Sequence, residues 1–162
     1  MAAQKKGRHR VRPLQRKQSL TLLLQLLPSE ARFGEKKVEW GKRSISFTKM
    51  ESGGNDFIII DNRKRILPRA ISKLAVTLCR RRSAIGADGL ILLDKADRAD
   101  YRMRIFNPDG SEPQMCGNGA RCLARFAFIN GISSSKATME TKAGNLEAWV
   151  KGRRVKVKLG IP

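Results

Sequence analysis

The stretch from Phe106 to Gly131, FNPDGSEPQMCGNGARCLARFAFING, decides the fold. Asn107-Pro108-Asp109-Gly110 is a strong turn sequence, because proline presets φ and glycine permits a reversal. Beyond it the spacing predicts a helix over about Asn118 to Asn130, stopped by Gly131. Ala120, Cys122, Leu123, Ala124, Phe126, Ala127, Phe128 and Ile129 cover most of that helix, and Asn118, Arg121 and Arg125 form its one polar stripe. A helix that is apolar on most of its surface is a buried helix, and something must wrap it.

Short apolar segments on either side supply the wrapping. Ile45–Met50, Phe57–Asp61, Leu90–Leu93, Tyr101–Phe106, Ala137–Thr141, Leu146–Val150 and Val155–Leu159 each read as strands. Ser52-Gly53-Gly54-Asn55-Asp56, Gly86-Ala87-Asp88-Gly89, Ala143-Gly144-Asn145 and Gly152-Arg153 are turns between them. A second helix-like stretch starts at Pro68. It has Ile71, Leu74, Ala75 and Leu78 at helical spacing and Arg80-Arg81-Arg82 at its end, where cations suit the dipole. Seven strands and two helices in this order predict an α+β domain over residues 45–162, with a mostly antiparallel sheet curled around the buried helix.

Charge is distributed differently. The chain has 162 residues, 34 Lys+Arg, 14 Asp+Glu and a formal net charge of +20. Residues 1–43 hold 12 of the cations and 3 of the acids, and residues 44–162 hold 22 and 11. Residues 1–44 read as a basic extension expected to be disordered. Within it, Leu20–Leu27 followed by Pro28-Ser29 has the outline of a signal peptide, but eight residues including Gln25 make a short apolar core for one. No apolar run is long enough to span a membrane. Three cysteines are too few for a disulfide scaffold and suit free thiols in a reducing compartment, so a cytoplasmic location is expected. The single histidine, His9, lies in the basic tail, and no C-x-x-C pair exists, so no metal site is expected.

The candidate chemistry centres on Cys116. It immediately precedes Gly117-Asn118-Gly119, where the buried helix begins. The first N–H groups of a helix lack partners, and the dipole there stabilises a thiolate. The N–H groups of Gly117 and Asn118 can hold a carboxylate, and Gly117 and Gly119 place no Cβ between backbone and ligand. A cysteine beside an anion cradle suits removal of the α-proton of an amino acid. The same residues also fit a tight turn and helix cap with Cys116 as a small buried residue. Cys79 and Cys122 read as core cysteines.

Several segments, in order, resemble diaminopimelate epimerases. They are Phe47-Thr48-Lys49-Met50, Gly54-Asn55-Asp56-Phe57, Ile85-Gly86-Ala87-Asp88-Gly89, Arg104 to Ser111 (RIFNPDGS), Met115 to Cys122 (MCGNGARC), Thr141-Lys142-Ala143-Gly144 and Leu159-Gly160-Ile161-Pro162. The resemblance covers about residues 45–162. It implies a two-domain fold in which two cysteines, each at a helix start in its own domain, flank the α-carbon. They interconvert L,L- and meso-diaminopimelate, in lysine and peptidoglycan precursor synthesis, without pyridoxal phosphate or any other cofactor. By resemblance Cys116 is the first-domain catalytic cysteine, the proton donor in the L,L-to-meso direction. Asn55, Asn107, Gly117 and Asn118 match substrate-contacting positions. Two positions depart: Gly89 stands where some members have a substrate-contacting Gln, and Glu51-Ser52 replaces the usual His-Gly.

The resemblance also implies a second domain carrying the partner cysteine, and the sequence at hand covers only the first. The expected partners are therefore a small-molecule substrate, diaminopimelate, and the missing second domain or a second copy, docked on the face the second domain would cover. Proline and hydroxyproline racemases share the two-cysteine logic, but usually have His at the position of Asn118. A basic nucleic-acid-binding protein is the alternative that charge suggests, yet no nucleic-acid motif appears and Phe57, Phe106, Phe126 and Phe128 lie in apolar runs. Neither specific nucleic-acid binding nor membrane binding is expected.

Overall fold

The computed structural model describes residues 34–158. Residues 1–33, with the Leu20–Leu27 run, and the closing Leu159–Pro162 motif lie outside the described residues. The chain order is β1 (Glu35–Trp40), β2 (Arg43–Ser52), β3 (Asn55–Asp61), α1 (Ile71–Leu78), β4 (Gly89–Asp94), β5 (Tyr101–Phe106), α2 (Gly117–Ile129), β6 (Lys136–Thr141), β7 (Gly144–Lys151) and β8 (Arg154–Lys158).

All eight strands join one sheet in sequence order. Only β3·β4 and β5·β6 pair in parallel, and those are the two connections that carry helices. The other five pairs are antiparallel hairpins or short returns. A parallel neighbour needs a crossover, and α1 and α2 supply the two crossovers. The expected α+β class and mostly antiparallel sheet hold.

The two helices lie in separate cores. α2 touches β2, β3, β4, β5, β7 and β8, strands from both halves of the sheet, so the sheet curls around it as its apolar surface requires. Leu123, Ala124, Phe126 and Ala127 meet Phe57, Ile59, Ile91 and Met103 there. On the other face Leu74, Ala75 and Leu78 of α1 pack with Ile58, Ile60, Leu90 and Leu92. Alternate residues of β3 and β4 therefore enter opposite cores. That explains why FIII and LILL are continuous apolar runs rather than alternating ones.

One boundary needs correction. Residues 34–44, read as part of a disordered extension, form β1 and its turn into β2, paired from Glu35↔Thr48 to Trp40↔Arg43. Val38 is its one buried apolar side chain. An edge strand with so little apolar content is recruited by backbone hydrogen bonds to β2, not by a pattern of its own.

α1 also starts later than Pro68 and ends before the arginine run. Its C-terminal carbonyls are met by backbone: Gly86 N–H donates to Leu78 O (2.9 Å) and Ala87 N–H to Cys79 O (3.2 Å). Arg81 is thereby left to bind elsewhere.

The β5·β6 pairing spans only Tyr101↔Met139 and Arg102↔Glu140, so the last residues of β5 part from β6. Glu112 bridges this opening. Its carboxylate accepts from Arg104 Nε (2.7 Å) and Nη2 (3.1 Å) on β5 and lies 3.0 Å from Lys142 Nζ in the β6–β7 turn. The 107–116 loop leading to α2 is fixed by this three-way ion pair.

Candidate active site

The site forms at one end of the sheet. Phe57 pairs with Gly89, and Leu90 with Phe106, so Asn55, Asp88 and Asn107 all lie at that end. α2 starts there as well. Cys116 is its N-cap, with extended backbone, and its Sγ accepts the Gly119 N–H at 3.4 Å. The thiol is half-buried against the α2 core. The Ala120 N–H goes to Cys116 O at 2.8 Å, while the N–H groups of Gly117 and Asn118 have no acceptor among the described residues. Two open N–H donors thus stand beside a thiol that itself takes a backbone N–H, and those two donors can hold an anion.

The two glycines of the helix start do different things. A Cβ on Gly117 would meet only Arg121 Nη1, at 3.7 Å, so this residue faces open space as expected. A Cβ on Gly119 would lie 2.9 Å from Ile91 Cδ1 and 3.0 Å from Met103 Cε. Gly119 is needed for helix-on-sheet contact, not for approach to a ligand.

Asn118 and Asn55 are brought together: Asn118 Nδ2 donates to Asn55 Oδ1 at 2.8 Å. Asn107 is not joined to them. It shares their end of the sheet but bonds within its own turn, through N–H to Ser111 O (2.8 Å) and Nδ2 to Ser111 Oγ (2.9 Å). The two departures from the family pattern have local roles. A Cβ on Gly89 would fit tightly, 3.1 Å from Phe106 O and 3.3 Å from Phe57 Cδ1. Glu51 Oε1 accepts the Gly54 N–H at 3.2 Å and steadies the β2–β3 turn.

Several residues of this region escaped the sequence reading. Asp56, Asp88, Arg81 and Lys49 form a charged cluster beneath Asn55. Arg81 Nη2 reaches Asp56 at 2.7 Å and Asp88 at 2.8 Å, and Lys49 Nζ lies 2.9 Å from Asp56. The Arg81 guanidinium, with Lys49 in support, holds the Asp56 carboxyl far below the usual carboxylate range against the opposing effect of burial. The Asp56 N–H and Asn55 Nδ2 bonds to Asp88, with Arg81, lower Asp88 too. Two carboxylates in turn sequences of a chain so rich in cations were the available signal.

Depressed folded-state values give a definite acid response. The stabilisation is complete above the unfolded carboxylate pKa of ~4 and is lost as pH falls further towards the folded values. Denaturant unfolding at pH 6, 4 and 3 should show stability falling through the last two points. Asp56→Asn should flatten that fall, and a steeper fall in the variant would contradict the assignment.

Cys79 and Cys122 are buried as expected, and burial pushes both thiols up to about 11. Neither is a candidate acid or base near neutral pH. A separate cleft of about 470 Å³, lined in part by Thr48, Asp61 and Phe126, lies towards the other end of α2 from Cys116.

The sequence profile of the family described as diaminopimelate epimerase matches residues 47–162. The chain belongs to the diaminopimelate epimerase family. It is 46% identical over 125 residues to the diaminopimelate epimerase of a Cyanothece species, covering 74% of this chain and 45% of that one. It is 48% identical over 124 residues to that of Caldanaerobacter subterraneus subsp. tengcongensis, covering 73% and 44%. The chain therefore spans under half the length of these diaminopimelate epimerases. Among solved structures, a hydroxyproline epimerase from Agrobacterium vitis aligns with a TM-score of 0.56 at 16% identity, over 74% of this chain and 42% of that one. A phenazine biosynthesis protein of the PhzF family from Bacillus anthracis aligns at 0.55 and 23%, over 67% and 36%. These likenesses establish the shared fold. Sequence similarity to diaminopimelate epimerases, far higher than to either structure, places the chain in that family.

Proposed function

We propose that this chain supplies one of the two acid–base groups of a cofactor-independent epimerase that interconverts L,L- and meso-diaminopimelate, and that Cys116 is that group. The observation that carries the reading is the helix start: a half-buried thiol as N-cap of α2, beside two backbone N–H groups free to hold the substrate α-carboxylate. In one direction the Cys116 thiolate takes the α-proton, and the electron pair left on carbon is delocalised into the carboxylate held by those donors. A thiol on the opposite face then returns a proton and inverts the centre. In the reverse direction Cys116 is the donor.

The second thiol has to come from another domain or chain, because Cys79 and Cys122 are buried. The partners of this reading are accordingly diaminopimelate and a second domain, or a second copy docked in its place. Three free thiols suit a reducing, cytoplasmic setting. No helix among the described residues is long and apolar enough to cross a membrane.

Alkylation by iodoacetamide, followed by mass spectrometry, tests the assignment on residues 1–162. Cys116 should react first, and meso-diaminopimelate at ~10 times its Kd should slow that reaction about tenfold. Cadaverine, which lacks both carboxylates, should give no protection. Equal protection by cadaverine, or prior reaction of Cys79 or Cys122, would contradict the reading.

A further inference from the structure

The reading of Asn55 and Asn118 as substrate contacts leaves one matter open, namely which atoms of the two amides face the substrate. An amide can turn either its oxygen or its nitrogen outward, and the two choices favour opposite ligand charges. The groups at the ends of the Asn118–Asn55 pair decide between them. Arg121 Nη2 donates to Asn118 Oδ1 at 2.8 Å. A guanidinium has only donors, so this end of the chain must be an amide oxygen. At the other end Asn55 Nδ2 donates to Asp88 Oδ2 at 3.2 Å. An ionised carboxylate only accepts, so this end must be an amide nitrogen. The central bond, Asn118 Nδ2 to Asn55 Oδ1, is the one arrangement that satisfies both ends.

We propose that Arg121 and Asp88 are positioning residues that lock the polarity of this amide pair, so that it presents donors to a substrate carboxylate. Each amide oxygen is turned into the relay and accepts a bond there, from Arg121 or from Asn118. As a donor each amide has one N–H left, with no acceptor among the described residues. Together with the Gly117 and Asn118 backbone N–H groups they make a cradle of donors beside Cys116. Such a cradle accepts a carboxylate and disfavours an ammonium group, so it separates the two charged substituents of an α-amino acid. Asp88 is held in turn by Arg81, which ties the relay to the charged cluster beneath it.

The relay also has a steric support. Gly53 takes φ +60°, and a Cβ there would lie 2.8 Å from Asn118 Oδ1 and 3.0 Å from its Nδ2. The Asn118 amide therefore rests against a backbone that only glycine leaves open. Gly53→Ala would displace this amide with no change of charge. That separates positioning from simple attraction by Arg121.

The test compares alkylation of Cys116 by iodoacetate, an anion, with alkylation by the neutral iodoacetamide. The ratio of the two rates reads the donor cradle without requiring diaminopimelate. Loss of one oriented hydrogen bond should lower the ratio about fivefold in Arg121→Met and Gly53→Ala, and Arg121→Lys should restore it to within about twofold of wild type. Side-chain amide NMR signals of Asn55 and Asn118 should lose their exchange protection in the same two variants and keep it in Arg121→Lys. If Gly53→Ala fails to fold, by circular dichroism, amide exchange decides: protection of the Asn118 side chain that persists in Arg121→Met would overturn the relay, because attraction by charge alone does not order the amide. Unchanged ratios in Arg121→Met and Gly53→Ala, with diaminopimelate still protecting Cys116, would overturn the relay alone. Ratios that fall as expected, with no protection by diaminopimelate, would support the relay and overturn the substrate assignment.

Discussion

Residues 1–162 alone are expected to epimerise L,L-diaminopimelate at least about 10²–10⁴-fold more slowly than a two-domain relative, the range a single positioned acid–base group contributes. Inversion at carbon needs a proton removed on one face and delivered on the other. In the proposed mechanism Cys116 serves one face. The other two thiols are buried in the two cores, where desolvation keeps them protonated and out of reach. Joining residues 1–162 to the C-terminal half of the Caldanaerobacter enzyme should recover turnover, and Cys116→Ser in that fusion should remove it again. Full turnover by residues 1–162 alone, sensitive to Cys116→Ser, would show that a single cysteine with water suffices.

The second large effect concerns Gly119, where fold and site share one residue. Gly119 is buried, its N–H is held by Cys116 Sγ, and its missing side chain is what lets α2 lie on β4 and β5. Gly119→Val would force branched carbons against Ile91, Met103 and Ile105, which an ideal Cβ already meets at 2.9, 3.0 and 3.3 Å. Overpacking of a filled core costs about 1–3 kcal/mol, and a branched residue in the first turn belongs at the upper end. Relief comes from turning the ends of Ile91, Met103 and Ile105 aside within a filled core, or from lifting the first turn of α2, which carries Cys116 and Asn118 with it. Urea unfolding should show the stability loss, and the Cys116 alkylation rate should change in the same variant. A Gly119→Val protein of wild-type stability would mean that the helix start is not packed as described.

The central elements were legible because each has a local cause. α2 announces itself by its apolar surface and its stop at Gly131, and β3 and β4 by runs that feed two cores at once. β1 was missed because EKKVEW fully buries only Val38, with Trp40 packed at the margin of the same core, and an edge strand needs little more than a neighbour's backbone. The site divided in the same way. Cys116, Gly117 and Asn118 are consecutive, so their shared helix start could be read from the sequence. Gly119 was misread as part of a ligand approach, because only the fold shows Ile91 and Met103 above it. Arg81 was read as a helix-end cation, but backbone N–H groups already close that helix. Its partners are 25 residues before it and 7 after it, and they meet only when β3 and β4 pair. Asp88 looked like a turn residue for the same reason. Where function depends on contacts between strand ends, the sequence lists the participants without showing who meets whom.

The most direct measurement is deuterium incorporation at the α-carbon of meso- and L,L-diaminopimelate, in D₂O, by the fusion carrying the C-terminal half of the relative. With Cys116 intact, deuterium should enter the product as its configuration inverts. With Cys116→Ser, inversion should fall about 10²–10⁴-fold, and one of the two isomers should lose its exchange with solvent. Inversion and exchange at the wild-type rate in the Cys116→Ser protein would contradict the account.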